Sequence, residues 1–243
     1  MKQIYLGIIT VFFLSCKPNY TAQEIVDLSI QKSGLNHIEN AKISFDFRDK
    51  HYIANRNKGN YELKRITQND TITTIDVLSN KGFERLVNNI PVELTDTDKK
   101  RFSNSINSVH YFSILPFGLN DTAVNKKLLE NETIHGKEYY KVKVTFNENG
   151  GGDDFDDVFL YWFNKETFLV EFLAYKYHTN GGGIRFRDVK KEQYVKNIRL
   201  VDYTNYKPED KPIDFYTIGK LYEEGKLKKL SEIELKNIEI HFE

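Results

Sequence analysis

Sulfur and net charge are what this sequence has least of. Cys16 is the single cysteine among 243 residues. No intramolecular disulfide can therefore staple the fold, and burial alone must stabilise the core. Charge of one sign is missing too: 35 Lys+Arg balance 35 Asp+Glu, and the pI is near 7.0. Proteins that grip phosphate backbones carry a basic excess, so nucleic acid is excluded as an expected partner. At 40% hydrophobic and 29% charged residues the chain is neither disordered nor multi-spanning. Aromatics are abundant instead, with 17 Phe and 15 Tyr against one Trp. Such a density favours strands, because aromatic rings pack well on a pleated, half-buried surface.

The N-terminus carries a processing signal. Met1-Lys2 is a short positive start, and Ile4 to Leu14 is an apolar run of eleven residues. That is too short to cross a bilayer but suits a secretory signal. It ends at Leu14-Ser15-Cys16, with the lone cysteine directly after a small residue. This resembles a lipobox, in which the signal is removed before the cysteine and the thiol receives a diacylglycerol. The expected organisation is a lipoprotein signal peptide over residues 1–15, a lipidated tether over 16–20 and one domain over 21–243. Several acyl chains on one residue hold a protein at a membrane far longer than one chain does.

Beyond the anchor the pattern is strands with few helices. Thr21-Ala22-Gln23-Glu24 predicts a capping box, Ile25 and Leu28 follow at helical spacing, and Gly34 stops the helix. Ile43, Phe45 and Phe47 then alternate with Ser44, Asp46 and Arg48, which is the period of a strand. Strand patterns recur at 60–67, 71–78, 83–87, 139–146, 157–163, 168–177, 184–189, 198–203 and 232–242, split by turn pairs such as Asn69-Asp70 and Lys81-Gly82. Thr95-Asp96-Thr97-Asp98 opens a second helix carrying Phe102, Ile106 and Val109. No alternation of strands with crossover helices requires a parallel sheet. The expected fold is mainly β (α+β): one curved antiparallel sheet, or half-barrel, with two main helices on its concave side. Val158, Leu160 and Trp162 are apolar, and so are Phe159, Tyr161 and Phe163 between them. A strand apolar at both parities is covered on both faces. Helices over the concave side would leave a groove, and a ligand groove is typically of roughly 300–1,000 Å³.

Chemistry is thinly marked. Gly150-Gly151-Gly152 and Gly181-Gly182-Gly183 each follow a strand pattern and precede another, as hairpin loops do. A backbone nest for an anion is the alternative reading, although neither triplet fits a phosphate-loop pattern. Asp153-Asp154-Phe155-Asp156-Asp157 lacks the spacing of a calcium loop. No two of the six histidines stand at zinc-ligand spacing, so no local sequence supports a metal, and no cofactor is expected. His110, Tyr111, His178, Arg185 and Arg187 are the polar groups that a folded hairpin rim would gather, suited to an anionic headgroup or a sugar. Cross-strand pairing of the two arginines with carboxylates is the plainer alternative.

Four blocks carry a resemblance: Ile43-Ser44-Phe45-Asp46-Phe47-Arg48, Asn107-Ser108-Val109-His110-Tyr111-Phe112, Leu115-Pro116-Phe117-Gly118-Leu119-Asn120-Asp121, and His178 through Arg187. Together they resemble an uncharacterised lipoprotein family of Bacteroidota, a domain of unknown function, over about Ala22 to Phe242. Some of its members bear a deoxyribose-phosphate aldolase label. More distantly, Tyr161 to Leu169 resembles a hairpin of the periplasmic lipoprotein-carrier fold, with Asn164 where that fold has Asp. That fold implies an unclosed sheet, helices plugging its concave side and an acyl chain between them; the family supplies no catalytic residues. In such lipoproteins surface display goes with an acidic cluster after the cysteine. Here none comes before Glu24, so the resemblance implies a periplasm-facing protein on the inner leaflet of the outer membrane. A non-catalytic binder or carrier of an apolar or amphiphilic ligand ranks first, and an interaction lipoprotein second. An enzyme ranks last, because aldolases of that label resemble (β/α)₈ barrels, whose helices this pattern lacks.

Overall fold

Hairpins build the molecule, and their turns fall where the chain accepts left-handed backbone. Lys58-Gly59, Asn88-Asn89 and Lys196-Asn197 each place two successive residues at positive φ, which matches the twist of the strands they join. The computed structural model describes residues 19–152, 154–209 and 212–242. The expected signal segment and Cys16 lie outside the described residues.

The fold is mainly β, wholly antiparallel and not closed into a barrel. Its strands are shared between two sheets where one curved sheet is expected. The first sheet comprises β1 (Asn40–Phe47), β2 (Lys50–Asn57), β3 (Asn60–Asn69), β4 (Ile72–Ser79), β5 (Gly82–Val87) and β6 (Ile90–Pro91) in sequence order, with the last strand, β15 (Lys236–Phe242), added beside β1. The second runs through β14 (Leu227–Ile233), β13 (Ile198–Pro208), β12 (Gly183–Val195), β11 (Val170–Tyr177), β10 (Val158–Asn164), β9 (Lys137–Phe146) and β7 (Val124–Leu128). β8 (Glu132–Ile134) also pairs with β9. The chain passes between sheets at Glu234-Leu235. There the Asp202 carboxylate accepts a 2.8 Å hydrogen bond from the Leu235 N–H and a 3.0 Å bond from Gln193 Nε2. A side chain thus replaces a ladder partner at the corner, and the single expected surface becomes two.

Both expected helices form. In α1 (Ala22–Lys32) the capping box is complete: Thr21 N–H donates to Glu24 Oε2 at 2.7 Å, and Glu24 N–H donates to Thr21 Oγ1 at 3.2 Å. Ile25, Val26 and Ile30 are buried, and Gly34 ends the turn at φ +72°. α2 (Asp96–Ser113) starts at the Thr95 cap and runs three residues past His110, laying Ile106 on Ala54 and Leu63 of the first sheet. A short third helix, α3 (Ile218–Glu223), falls in a stretch without a helical pattern.

β10 explains the need for it. Phe159, Tyr161 and Phe163 enter the main core with α1, β1 and β13. Leu160 and Trp162 enter a second core with Ile134, Tyr139, Phe172, Phe186, Phe215 and Ile218. The strand is covered on both faces, on one side by the main core that takes in α1 and the end of α2, and on the other by α3 with the turn before it. Beneath α3, Glu132 Oε2 accepts hydrogen bonds from Lys141 Nζ at 2.6 Å and Trp162 Nε1 at 3.0 Å, so the buried indole and ammonium are both satisfied.

Candidate functional site

The C-terminal half of α2 sorts the expected polar groups. Successive helix residues point about 100° apart, so His110 and Tyr111 go to different sheets. His110 is 1% exposed and sits against the Phe45 and Tyr52 rings of the first sheet. Its Nε2 donates to the Lys64 carbonyl at 3.2 Å. Burial pushes its pKa down to about 3, with the nearby Arg56 charge contributing, so the imidazole is neutral at physiological pH. Tyr111 faces the second sheet and shares a 3.0 Å hydrogen bond with Tyr161.

Arg187 lies on that same side. It is 8% exposed, and its guanidinium stands 3.9 Å from the centre of the Phe112 ring and 5.3 Å from that of Tyr175. Nη2 donates to the Tyr175 hydroxyl at 3.0 Å, whereas Nε is buried without a hydrogen-bond partner. Among the described residues no carboxylate lies within ion-pair distance of Arg187. Arg185 is half-buried, 5.2 Å from the Tyr177 ring, and bonds the Ile184 carbonyl. Phe112, Phe159, Tyr175 and Tyr177 run ring to ring between these groups, at centroid distances of 5.3 to 6.3 Å. Tyr111, Arg185 and Arg187 thus border one aromatic cluster beside α2.

His178 is elsewhere, on the loop between β11 and β12, where Nδ1 lies 3.2 Å from Asp156 Oδ2. The two glycine triplets flank it. Gly150, Gly151 and Gly152 lie in the loop between β9 and β10, Gly181 and Gly182 in that between β11 and β12, and Gly183 opens β12. At Gly151 an added Cβ would stand 2.2 Å from the Asn147 carbonyl oxygen, so close packing of that loop requires glycine.

Two further arginine arrangements escape sequence reasoning. Arg56 of β2 lies 5.9 Å from the Phe117 ring centre with Nη1 buried and unbonded. Burial lowers its pKa from 12.5 to about 10. Between α2 and β3–β5 an open groove of about 500 Å³ is lined by Lys50, Arg65, Asp76, Arg85, Arg101 and Phe102, four cations around one carboxylate. Arg65, Asp76 and Arg85 stand directly opposite one another on three adjacent strands. Asp76 accepts from Arg65 Nη2 at 2.7 Å and Arg85 Nε at 2.5 Å. Cross-strand alternation hints at such a ladder, but only the register reveals it.

The family of unknown function DUF6503 matches residues 2–235. The chain belongs to this family. Among curated proteins none matches it in sequence. In three dimensions it is similar to a DUF1329 family protein from Desulfovibrio piger, at 8% identity and a TM-score of 0.47, covering 92% of this chain and 94% of that one. It is also similar to a LolA superfamily protein from Nitrosomonas europaea, at 13% identity, a TM-score of 0.48 and 92% of each chain. A domain assigned to outer membrane lipoprotein sorting in Vibrio parahaemolyticus gives 7% identity, a TM-score of 0.45, and coverage of 91% and 93%. Likenesses this distant say nothing of what the present chain binds.

Proposed function

We propose that this protein is a lipid-anchored, periplasm-facing envelope protein that binds an anionic amphiphile at the aromatic cluster beside α2 without transforming it. Arg187 carries the reading. A buried guanidinium with an unbonded Nε and no carboxylate partner is costly unless an anion joins it. The rings of Phe112 and Tyr175 offer the adjoining apolar surface. A headgroup on Arg187 with an acyl or aromatic tail along those rings satisfies both features. The anchor is supported by the apolar run from Ile4 to Leu14 and by Cys16 after it.

Displacement of a fluorescent fatty acid tests the binding. The expected result is displacement by anionic amphiphiles, weak displacement by a neutral analogue of equal chain length, and about tenfold weaker binding in Arg187→Met. Equal binding of the neutral analogue, or an unchanged Arg187→Met, overturns the headgroup assignment. For the anchor, Cys16→Ala should leave the membrane fraction, and mature protein still fractionating with membranes would refute lipidation. Protease added to intact cells should spare the domain, whereas its degradation would refute the periplasm-facing placement.

One observation favours an interaction lipoprotein instead. Tyr161 and Phe163 are fully buried in the core that α1 joins, together with Leu173 and Leu200, so aromatic side chains fill the space where a carrier would hold a long chain. A chain with no amphiphile affinity at micromolar concentration would leave that reading in place.

A further inference from the structure

Two loops at one end of the second sheet bring together groups that are separate in sequence. Asp156 and Asp157 close the loop before β10, and His178 follows β11. Because Val158 pairs with Lys176, the loops are neighbours. One ligand atom from each of Asp156, Asp157 and His178 lies within 4.8 Å of the others. His178 Nδ1 stands 3.2 Å from Asp156 Oδ2 and 3.9 Å from Asp157 Oδ1.

The decisive group is Asp157. It is 7% exposed, and its Oδ1, turned toward the histidine, is buried with no hydrogen-bond donor. A buried carboxylate oxygen left bare costs more than an exposed one, since water cannot replace the donor. Two carboxylates face one imidazole, and a cation shared among them would relieve both the repulsion and the desolvation.

We propose that Asp156, Asp157 and His178 form a binding site for a divalent transition cation, with zinc as the best match. One imidazole nitrogen and two carboxylate oxygens are the mixed donor set of borderline ions, whereas calcium and magnesium take oxygen shells. Three protein ligands leave further positions to water. The exposed His178 and Asp156 admit the ion from solvent, and the buried Asp157 anchors it. Both glycine-rich loops thereby gain a common purpose, because their tight folds set the aspartates against the histidine. The site is independent of the amphiphile cluster and stands if that reading fails.

Zinc titrated into the full mature chain tests it, by calorimetry and by thermal unfolding, with calcium in parallel. The expected outcome is one zinc per chain, a raised Tm, and affinity lowered about tenfold or more in both His178→Ala and Asp157→Asn. His178 is half-exposed, so its alanine variant folds whatever the ion does, and it reads ligation apart from stability. Absence of saturable zinc binding overturns the site. Binding that is unchanged in His178→Ala is adventitious and overturns it too. So does a preference for calcium that ignores the histidine.

Discussion

The hydroxyls of Tyr111 and Tyr161 meet at 3.0 Å, one on the helix that lies along the first sheet, the other at the centre of β10 in the second. Tyr161 is fully buried, so its hydroxyl has no water to fall back on. Burial raises the pKa values of both groups above the ordinary phenol range, which keeps them neutral. Removing one hydroxyl orphans the other. Tyr161→Phe should therefore cost about 1 kcal/mol of stability, and Tyr111→Phe a similar amount. The double variant should lose less than the two together. Urea midpoints of the four proteins give this cycle, and strict additivity would show that the bond contributes nothing.

His110 gives the fold an acid sensitivity. Its folded pKa, about 3, lies below its unfolded value of 6.5. The unfolded chain therefore binds a proton that the folded one refuses, and stability falls as the pH drops from about 6.5 toward 3. Below both values the penalty is constant. His110→Gln keeps a donor for the Lys64 carbonyl and cannot titrate. It should be somewhat less stable at pH 7 through poorer packing, yet show a shallower loss between pH 6 and 4. Parallel curves of stability against pH for the two proteins would refute the assignment.

How much of this was legible depends on whether the signal was local. The Thr21–Glu24 box and the Thr95 cap lie within four residues and gave both main helices. An unbroken apolar run along β10 gave coverage of both faces, since neither the parity of Phe159 nor that of Leu160 offers a polar side. β2 was missed because His51, Asn55 and Arg56 interrupt its apolar positions, leaving only Tyr52 and Ala54 buried. α3 was missed because six residues supply less than two turns of pattern, and no side chain caps it. Site geometry was least legible. His110 and Tyr111 look like one unit in sequence, and the helix separates them. Arg65, Asp76 and Arg85 look unrelated, and the strand register sets them side by side.

That register makes Asp76 a sensitive position. It is 2% exposed and holds two arginines, Arg65 and Arg85, whose charges it partly neutralises. Asp76→Asn keeps the shape and removes the charge, leaving two crowded guanidiniums over the Phe102 ring. Breaking a buried pair from one side typically costs about 3–5 kcal/mol. The expected result is a loss of that order, measured by denaturant unfolding. Because an added anion can replace the lost carboxylate, phosphate should restore more stability to Asp76→Asn than to the parent. A loss below about 1 kcal/mol would mean that solvent already screens the cluster.

Gly34 separates backbone strain from steric contact. Its φ of +72° is left-handed, and an added Cβ would stand 2.2 Å from the Asn197 carbonyl oxygen and 3.3 Å from Ile198 Cδ1. The end of α1 docks there on the β12–β13 turn, where Arg199 N–H donates to the Ser33 carbonyl at 2.9 Å. Gly59 provides the comparison, since its φ is +83° and nothing lies within 4 Å of an added Cβ. Gly59→Ala should thus lose only the left-handed backbone term, about 1 kcal/mol. Gly34→Ala should lose that and the contact term, a total of about 2 kcal/mol or more. Asparagine tolerates the left-handed region but carries a Cβ. Gly34→Asn should therefore be nearly as damaging as Gly34→Ala, while Gly59→Asn is nearly neutral. If asparagine rescues position 34 as well as it does position 59, the close approach of α1 to the turn is not what fixes that glycine.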